Sequence, residues 1–423
     1  MPLSQSLPFP RLSSAILMLG LVAGCASPSV PVPAAATPPS LVAVPAGVVA
    51  GAGFGDWVRD MRAQARSAGI GEAALSDAFD DVRYLPRVIE LDRAQPEFTR
   101  AVWDYLDTAV SPQRVATGED KLAQVRAQAD AAAVRYGVPA TIVAAIWGME
   151  SNYGSNYGSI PTIDALATLG FEGRRQAWAR DQLMSALKII DSGDIRHAQM
   201  IGSWAGAMGQ TQFLPTSFLA YAVDADGDGR RDIWGSMADV MASTANYLAR
   251  SGWQAGQPWG AEVQLPNGFD HARADRNFRQ TSTQWAAEGV QGVGGTVLPA
   301  VTDASILLPA GARGPAFLVG PNFRAILRYN NSESYALGVS LLSQRLSGGS
   351  GVVAAWPRDQ QALSRAQVSA LQESLNQRGF DAGIADGMMG PSTRDGLRKY
   401  QRSRGLPADG YPTVELLEQL RAP

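Results

Sequence analysis

The 423-residue chain carries 36 Lys and Arg against 39 Asp and Glu, is 46% hydrophobic, and contains one Cys and two His. That length suits two to three domains with a sizeable core, and a formal charge of -3 gives no electrostatic reason to expect a nucleic-acid partner. The single cysteine excludes an intramolecular disulfide and a multi-cysteine zinc site, and His197 and His271 stand too far apart for a helical His-x-x-x-His motif. Without a G-x-S-x-G elbow, any chemistry falls to carboxylates, hydroxyls and amides.

Residues 1–24 read as a targeting signal. The apolar run from Ala15 to Gly24 follows Arg11 and would rise about 15 Å as a helix, half of what a bilayer core needs, so it reads as the apolar region of a signal peptide. The following Val22-Ala23-Gly24-Cys25 resembles the lipobox of bacterial lipoproteins. That resemblance implies that Cys25 is lipidated and becomes the new N-terminus. Ala26 rather than Asp after it favours the outer membrane, which gives a periplasmic, lipid-anchored protein. Residues 25–52 hold six prolines and no charge and read as an extended tether.

From Gly53 the pattern turns helical. Asp56 is placed to cap a helix with Trp57, Met61, Ala65 and Ala68 on one face. Asp120 to Tyr136 repeats that pattern, and Pro139 opens the next helix. Between Gly256 and Val319 the runs Ala261–Leu265, Ser305–Leu308 and Ala316–Val319 are short, rich in β-formers and bounded by Pro and Gly, which predicts a small sheet inserted in a helical domain. Helix is expected again from Phe323 to Leu346, and Ser347-Gly348-Gly349-Ser350-Gly351 opens a flexible linker over 347–360. The remainder, 361–423, is a weak internal repeat in which Leu371-Gln372 with Asp386-Gly387 is echoed by Tyr400-Gln401 with Asp409-Gly410. It is similar to a C-terminal peptidoglycan-binding module of three helices.

One carboxylate, Glu150, ends the nearly continuous apolar stretch Ile142–Met149. Burial there would raise its pKa and let it protonate a leaving glycosidic oxygen near neutral pH. Glu150-Ser151-Asn152-Tyr153-Gly154, Gly202–Pro215, Leu91–Phe98, Asp164–Leu169, Asn322-Phe323 and Tyr329-Asn330-Asn331-Ser332 with Tyr335-Ala336 together resemble the B-type lytic murein transglycosylases over 53–346. The resemblance implies a mainly α, lysozyme-like catalytic domain in which Glu150 is sole acid and base. It also implies that Ser203, Gln212, Tyr329, Asn330 and Tyr335 line the cleft. Arg174-Arg175 read as a solvated pair, with contact to acidic or peptide parts of a strand as the alternative.

A hydrolytic glycosidase needs two carboxylates, and no second one is evident in the sequence; Asp164 remains open for that role. The expected reaction is therefore cleavage of the MurNAc-β-1,4-GlcNAc bond of peptidoglycan to a 1,6-anhydro end, by a monomer that needs no cofactor for catalysis. A hydrolytic muramidase with a hidden carboxylate and an inactive wall-binding scaffold are the alternatives.

Asp224-Ala225-Asp226-Gly227-Asp228-Gly229-Arg230-Arg231-Asp232 matches the start of an EF-hand loop, but position 12 is Gly235. Family resemblance moves the late ligand to Asp239, so Asp224, Asp226, Asp228, the Arg230 carbonyl and Asp239 are the candidate ligands for a structural Ca2+ or Na+. Asp239 has a competing explanation, since Ser236-x-x-Asp239 is also a capping box.

The lone cysteine makes the anchor testable. Cys25→Ala should move the protein from the membrane fraction to the soluble periplasm on cell fractionation. Unchanged membrane partitioning would contradict lipidation.

Overall fold

A computed structural model of the chain describes residues 53–94 and 100–422. The predicted signal peptide, Cys25 and the tether lie outside these residues, as do residues 95–98 of the Leu91–Phe98 motif.

The helix Ala140–Ser151 organises the first half of the molecule. Its residues from Ile142 to Gly148 are all buried, as expected of a helix apolar on every face. It is enclosed by the helices Pro112–Gln124, Arg126–Tyr136, Met237–Arg250 and Glu333–Leu346. A second apolar cluster lies beneath Phe54–Ser67, Thr162–Glu172 and Gln176–Asp191, centred on Met61, Leu166, Leu183 and Leu187. A two-residue antiparallel pair, Ile160–Pro161 with Ile201–Gly202, ties the chain just after the Glu150 motif to the Gly-rich segment 202–215.

The inserted sheet has four antiparallel strands in the order Gln291–Gly292, Gly260–Gln264, Ala316–Val319, Ser305–Leu307. Ala261 pairs with Leu318, which in turn pairs with Ile306, and the fully buried Trp285 fills one face. The first strand is too short to leave a periodic signal.

Three helical boundaries differ from the sequence expectation. The first helix starts at Phe54 behind Gly53, so Asp56 lies in its first turn instead of capping it. The predicted helix Asp120–Tyr136 is two helices that break at Val125, whose φ of -109° and ψ of 20° leave the helical region. The predicted helix Phe323–Leu346 is also two, Pro321–Tyr329 and Glu333–Leu346. Ser332 starts the second by accepting the Tyr335 N–H at 3.3 Å, in keeping with the capping preference of Ser, and the polar run Asn330-Asn331-Ser332-Glu333-Ser334 offers no apolar face to carry the first helix on.

The C-terminal module holds the three expected helices, Arg365–Gln377, Pro391–Ser403 and Val414–Arg421. Its internal repeat has a physical basis. Gln372 and Gln401 are both buried, and each closes an Asp-Gly turn. The Gln372 Oε1 accepts from Gly387 N at 2.9 Å and its amide donates to Asp386 at 3.2 Å. The Gln401 Oε1 accepts from Gly410 N at 2.8 Å and its amide donates to Asp409 at 2.7 Å. A buried amide must find such partners or lose stability.

The linker is not loose. Glu262 accepts the Val353 and Ala354 N–H groups at 2.8 and 2.7 Å, Arg358 forms a two-pronged pair with Asp107, and Trp356 lies 6.4 Å from both the Trp103 and Phe317 rings. The flexible composition of 347–351 is confined to its start; the residues after it are anchored by aromatic packing and charge. The module itself meets the sheet domain through Arg398 on Asp275 at 3.0 Å and through Asp409, which accepts the Ala312 N–H at 2.8 Å.

Candidate active site

The way the Ala140–Ser151 helix ends determines where Glu150 sits. Asn152 and Tyr153 take left-handed conformations, φ 48° and 58°. Their N–H groups return to the Gly148 and Trp147 carbonyls at 3.1 and 3.3 Å, a closure that satisfies the helix's last acceptors. The turn folds the Tyr153 ring back against the helix, where a Cβ on Gly148 would lie 2.5 Å from it. The Tyr153 hydroxyl then donates to the Arg114 carbonyl at 3.1 Å, and the Arg114 guanidinium donates to the Gly148 carbonyl. Trp147 Nε1 donates to Gln210 Oε1 at 2.8 Å, and Gln210 donates to the Trp234 carbonyl at 2.7 Å. The segment 202–215 is thereby fixed beside the helix end.

Glu150 is half-buried by surface area, but protein crowds its carboxylate, and burial pushes its pKa from 4.5 up to about 7. One hydrogen bond opposes this. The Tyr335 hydroxyl donates to Glu150 Oε1 at 2.6 Å and favours the charged form. The negative charge on Glu150 in turn raises the pKa of Tyr105, Tyr329 and Tyr335, in each case after burial as the larger cause. The carboxyl therefore faces a tyrosine-rich wall. Among the described residues no acid enters its electrostatic balance. Asp164 is buried and faces His197, with Nε2 3.5 Å from Oδ1.

Of the expected cleft residues, Tyr335 is brought directly onto Glu150. Tyr329 is half-buried and donates to the Thr211 carbonyl at 2.6 Å, inside an aromatic group with Tyr247 at 4.6 Å and Phe213 at 5.8 Å between ring centres. Gln212 has a left-handed backbone, φ 52°, and spends both amide protons on the Tyr157 and Gly209 carbonyls at 3.0 and 2.9 Å. Its Oε1 takes no hydrogen bond among the described residues. Ser203 Oγ accepts the Ala207 N–H at 3.1 Å, which leaves its own proton for a ligand. Asn330 is exposed in the break between two helices, and no protein group takes its side chain among the described residues. Arg174 is held to Asp92 through its N–H at 2.8 Å, and Arg175 lies over the Trp178 ring. Sequence reasoning missed Tyr105. Its position on the helix Val102–Ala109, two residues after the buried Trp103, gives no local sign of contact with a residue 45 positions on.

The acidic loop has oxygens suited to a hard cation. Ligand oxygens of Asp224, Asp226 and Asp239 lie within 4.8 Å of one another. Asp239 is fully buried, and that burial pushes its pKa up to about 6 although it accepts the Ala225 and Asp232 N–H groups at 2.7 Å each. The Asp239 N–H donates to Ser236 Oγ at 3.3 Å, so Ser236 caps the helix, but the Asp239 oxygens face Ala225 and Asp232 instead of the Ser236 N–H, so the expected capping box is only half formed. Asp228 turns toward Arg230 and accepts both its N–H and its guanidinium, which separates it from that trio.

Residues 53–344 match the transglycosylase SLT domain, and residues 364–420 match a peptidoglycan binding domain. The chain belongs to the transglycosylase SLT family. This SLT-family chain is 53% identical to SltB3 from Pseudomonas aeruginosa, solved in complex with NAG-anhNAM-pentapeptide. That match covers 88% of this chain and 100% of that one, with a TM-score of 0.86. The Escherichia coli lytic transglycosylase Slt35, solved in complex with calcium, is 31% identical over 69% of this chain and 92% of that one, with a TM-score of 0.56. The membrane-bound lytic murein transglycosylase B of Escherichia coli (strain K12) is 35% identical over 222 residues, half of this chain and 58% of the relative's length.

The raised pKa of Glu150 makes a prediction about stability. An acid with a pKa of about 7 in the folded state and 4.5 ordinarily lends stability that is present below pH 4.5 and lost as pH rises through 7. Glu150→Gln is free of this loss. Thermal melts should therefore show the variant more stable than wild type at pH 8, by on the order of 1–3 kcal/mol, with the difference vanishing near pH 4. A pH-independent difference would contradict a buried, shifted acid.

Proposed function

We propose that this chain is a lytic murein transglycosylase that cleaves the MurNAc-β-1,4-GlcNAc bond of peptidoglycan without water and leaves 1,6-anhydroMurNAc ends. The observation that carries this reading is a carboxyl held protonated near neutral pH by burial and faced, among the described residues, by tyrosines rather than by a second acid. In the first half-reaction the Glu150 proton goes to the glycosidic oxygen, and the GlcNAc leaves as a neutral alcohol while positive charge develops at the MurNAc C1. The resulting Glu150 carboxylate then takes the proton of the C6 hydroxyl of the same sugar. The C6 oxygen closes on C1, and Glu150 is restored to its acid form. The Tyr335 hydroxyl stabilises the carboxylate between the two proton transfers. Because the nucleophile is part of the substrate, one carboxyl serves where hydrolysis requires two.

The C-terminal module supplies a wall-binding element, in keeping with the peptidoglycan binding domain it matches. The name of the membrane-bound relative supports attachment to a membrane, and the lipobox-like Val22-Ala23-Gly24-Cys25 makes a lipid anchor at Cys25, in the outer membrane and facing the periplasm, our reading of how. The calcium complex of Slt35 supports a structural Ca2+ held by Asp224, Asp226 and Asp239, which would stiffen the loop ahead of the helix Met237–Arg250 and takes no part in the proton transfers.

Glu150→Gln keeps the shape but cannot give a proton. Its turnover of purified sacculi should fall by at least the 10²–10⁴-fold typical of general acid catalysis, while sacculus binding persists. Mass spectrometry of wild-type digests should find anhydromuropeptides. Reducing MurNAc ends would favour a hydrolase with a second carboxylate, and intact sacculi despite binding would favour a scaffold.

The ion has its own test. Binding at a hundredfold excess over Kd adds about 2.7 kcal/mol to stability, so a chelator should lower the wild-type melting temperature and Asp226→Asn should abolish that response. Superimposable melting curves with calcium and with chelator would contradict the site.

A further inference from the structure

A cavity of about 1340 Å³ lies between the catalytic domain, the sheet domain and the C-terminal module. Eight arginines line it against four carboxylates, although the whole chain has fewer basic than acidic residues. Both domains contribute: Arg100 and Arg324 come from the catalytic side, Arg394 and Arg398 from the helix Pro391–Ser403. Some of this charge is answered within the protein, as in Arg276 with Glu333 at 2.9 Å and Arg398 with Asp275 at 3.0 Å. The exposed Arg100 and Arg394 have no side-chain ion pair or hydrogen bond among the described residues. Arg324 Nη1 and Arg398 Nε are buried and also lack a hydrogen-bond partner there.

Guanidinium groups gathered from two domains repel one another, and unsatisfied buried donors destabilise further. An anionic occupant relieves the first through the exposed Arg100 and Arg394. The cavity shares a helix with the reaction site: Glu333 and Ser334 at the start of Glu333–Leu346 line it, and Tyr335 of the same turn bonds Glu150, although neither Tyr335 nor Glu150 lines the cavity itself. We propose that this interdomain cavity is a carboxylate-binding subsite that receives the stem peptide of the peptidoglycan strand, with Arg100 and Arg394 holding its free carboxylates. The volume exceeds the usual several hundred Å³ of a small-ligand pocket, so an extended peptide fits where a lone ion would leave most of the space to water. The guanidinium fork suits carboxylate recognition. Catalytic domain and wall-binding module then read one substrate together: the glycan meets Glu150 while its peptide bridges the two.

This inference rests on the peptidoglycan reading, and its test is a binding measurement that does not depend on turnover. In the full-length Glu150→Gln background, calorimetry compares GlcNAc-anhydroMurNAc-pentapeptide with peptide-free GlcNAc-anhydroMurNAc. Arg100→Ala and Arg394→Ala should each raise the Kd for the pentapeptide ligand roughly tenfold, the scale of losing one charge-assisted hydrogen bond. The Kd for the peptide-free ligand should move far less, and Arg394→Lys should recover part of the loss. Pentapeptide affinity should also fall with added salt. An unchanged pentapeptide Kd in both variants, or equal losses for the two ligands, overturns the subsite. Reducing ends in wild-type digests would overturn the transglycosylase reading and leave the binding result standing.

Discussion

Desolvation of one carboxyl group is the constraint on which the rest of this structure depends. A glutamate ending a solvent-exposed helix would ionise near pH 4.5 and have no proton to give at neutral pH. Glu150 escapes that because the helix before it is apolar on every face and packed on every side, from Ile142 to Gly148. The two glycines that let Tyr153 fold back, Gly118 and Gly148, have no room for a side chain, since a Cβ on either would come within 2.5 Å of that ring or its hydroxyl. The aromatic wall crowds the half-buried carboxyl, and among the described residues Tyr335 supplies the polar contact that keeps its charged form accessible.

Other features serve to hold that arrangement in place. Gln210 links the Trp147 indole to the Trp234 carbonyl, so the Gly-rich segment and the acidic loop's far end are held to the same helix. Asp194 grips Arg231 through its N–H and guanidinium at 2.8 and 2.6 Å, which ties that loop to the chain following the helix Gln176–Asp191. The anchored linker and the Arg398–Asp275 pair set the C-terminal module against the sheet domain. An acid whose pKa is raised by burial needs such rigidity, because any opening of the wall would hydrate it further.

Much of this was legible in the sequence, for identifiable reasons. An uninterrupted apolar run ending in one acid is a local signal, and so are alternating aspartates and the strands bounded by Pro and Gly. The repeated Gln and Asp-Gly positions pointed to two equivalent turns, although only the structure shows that each Gln closes its own turn. What escaped depends on contacts distant in sequence. Tyr105 approaches Glu150 through packing of separate helices. The anchoring of residues 352–358 depends on Glu262, Asp107 and Trp103 far up the chain. The break at Val125 interrupts a pattern that looks continuous in one dimension. Asp228 satisfied the loop pattern, yet its neighbour Arg230 offers a closer partner than the other acids do.

The central claim concerns a protonation state, and it can be measured directly. Carboxyl-carbon NMR of the full-length chain labelled at glutamate, titrated from pH 3 to 9 with Glu150→Gln for assignment, isolates the resonance of this one group. The account predicts a glutamate that titrates near pH 7 and is missing from the variant. A Glu150 resonance that titrates below pH 5 would contradict it.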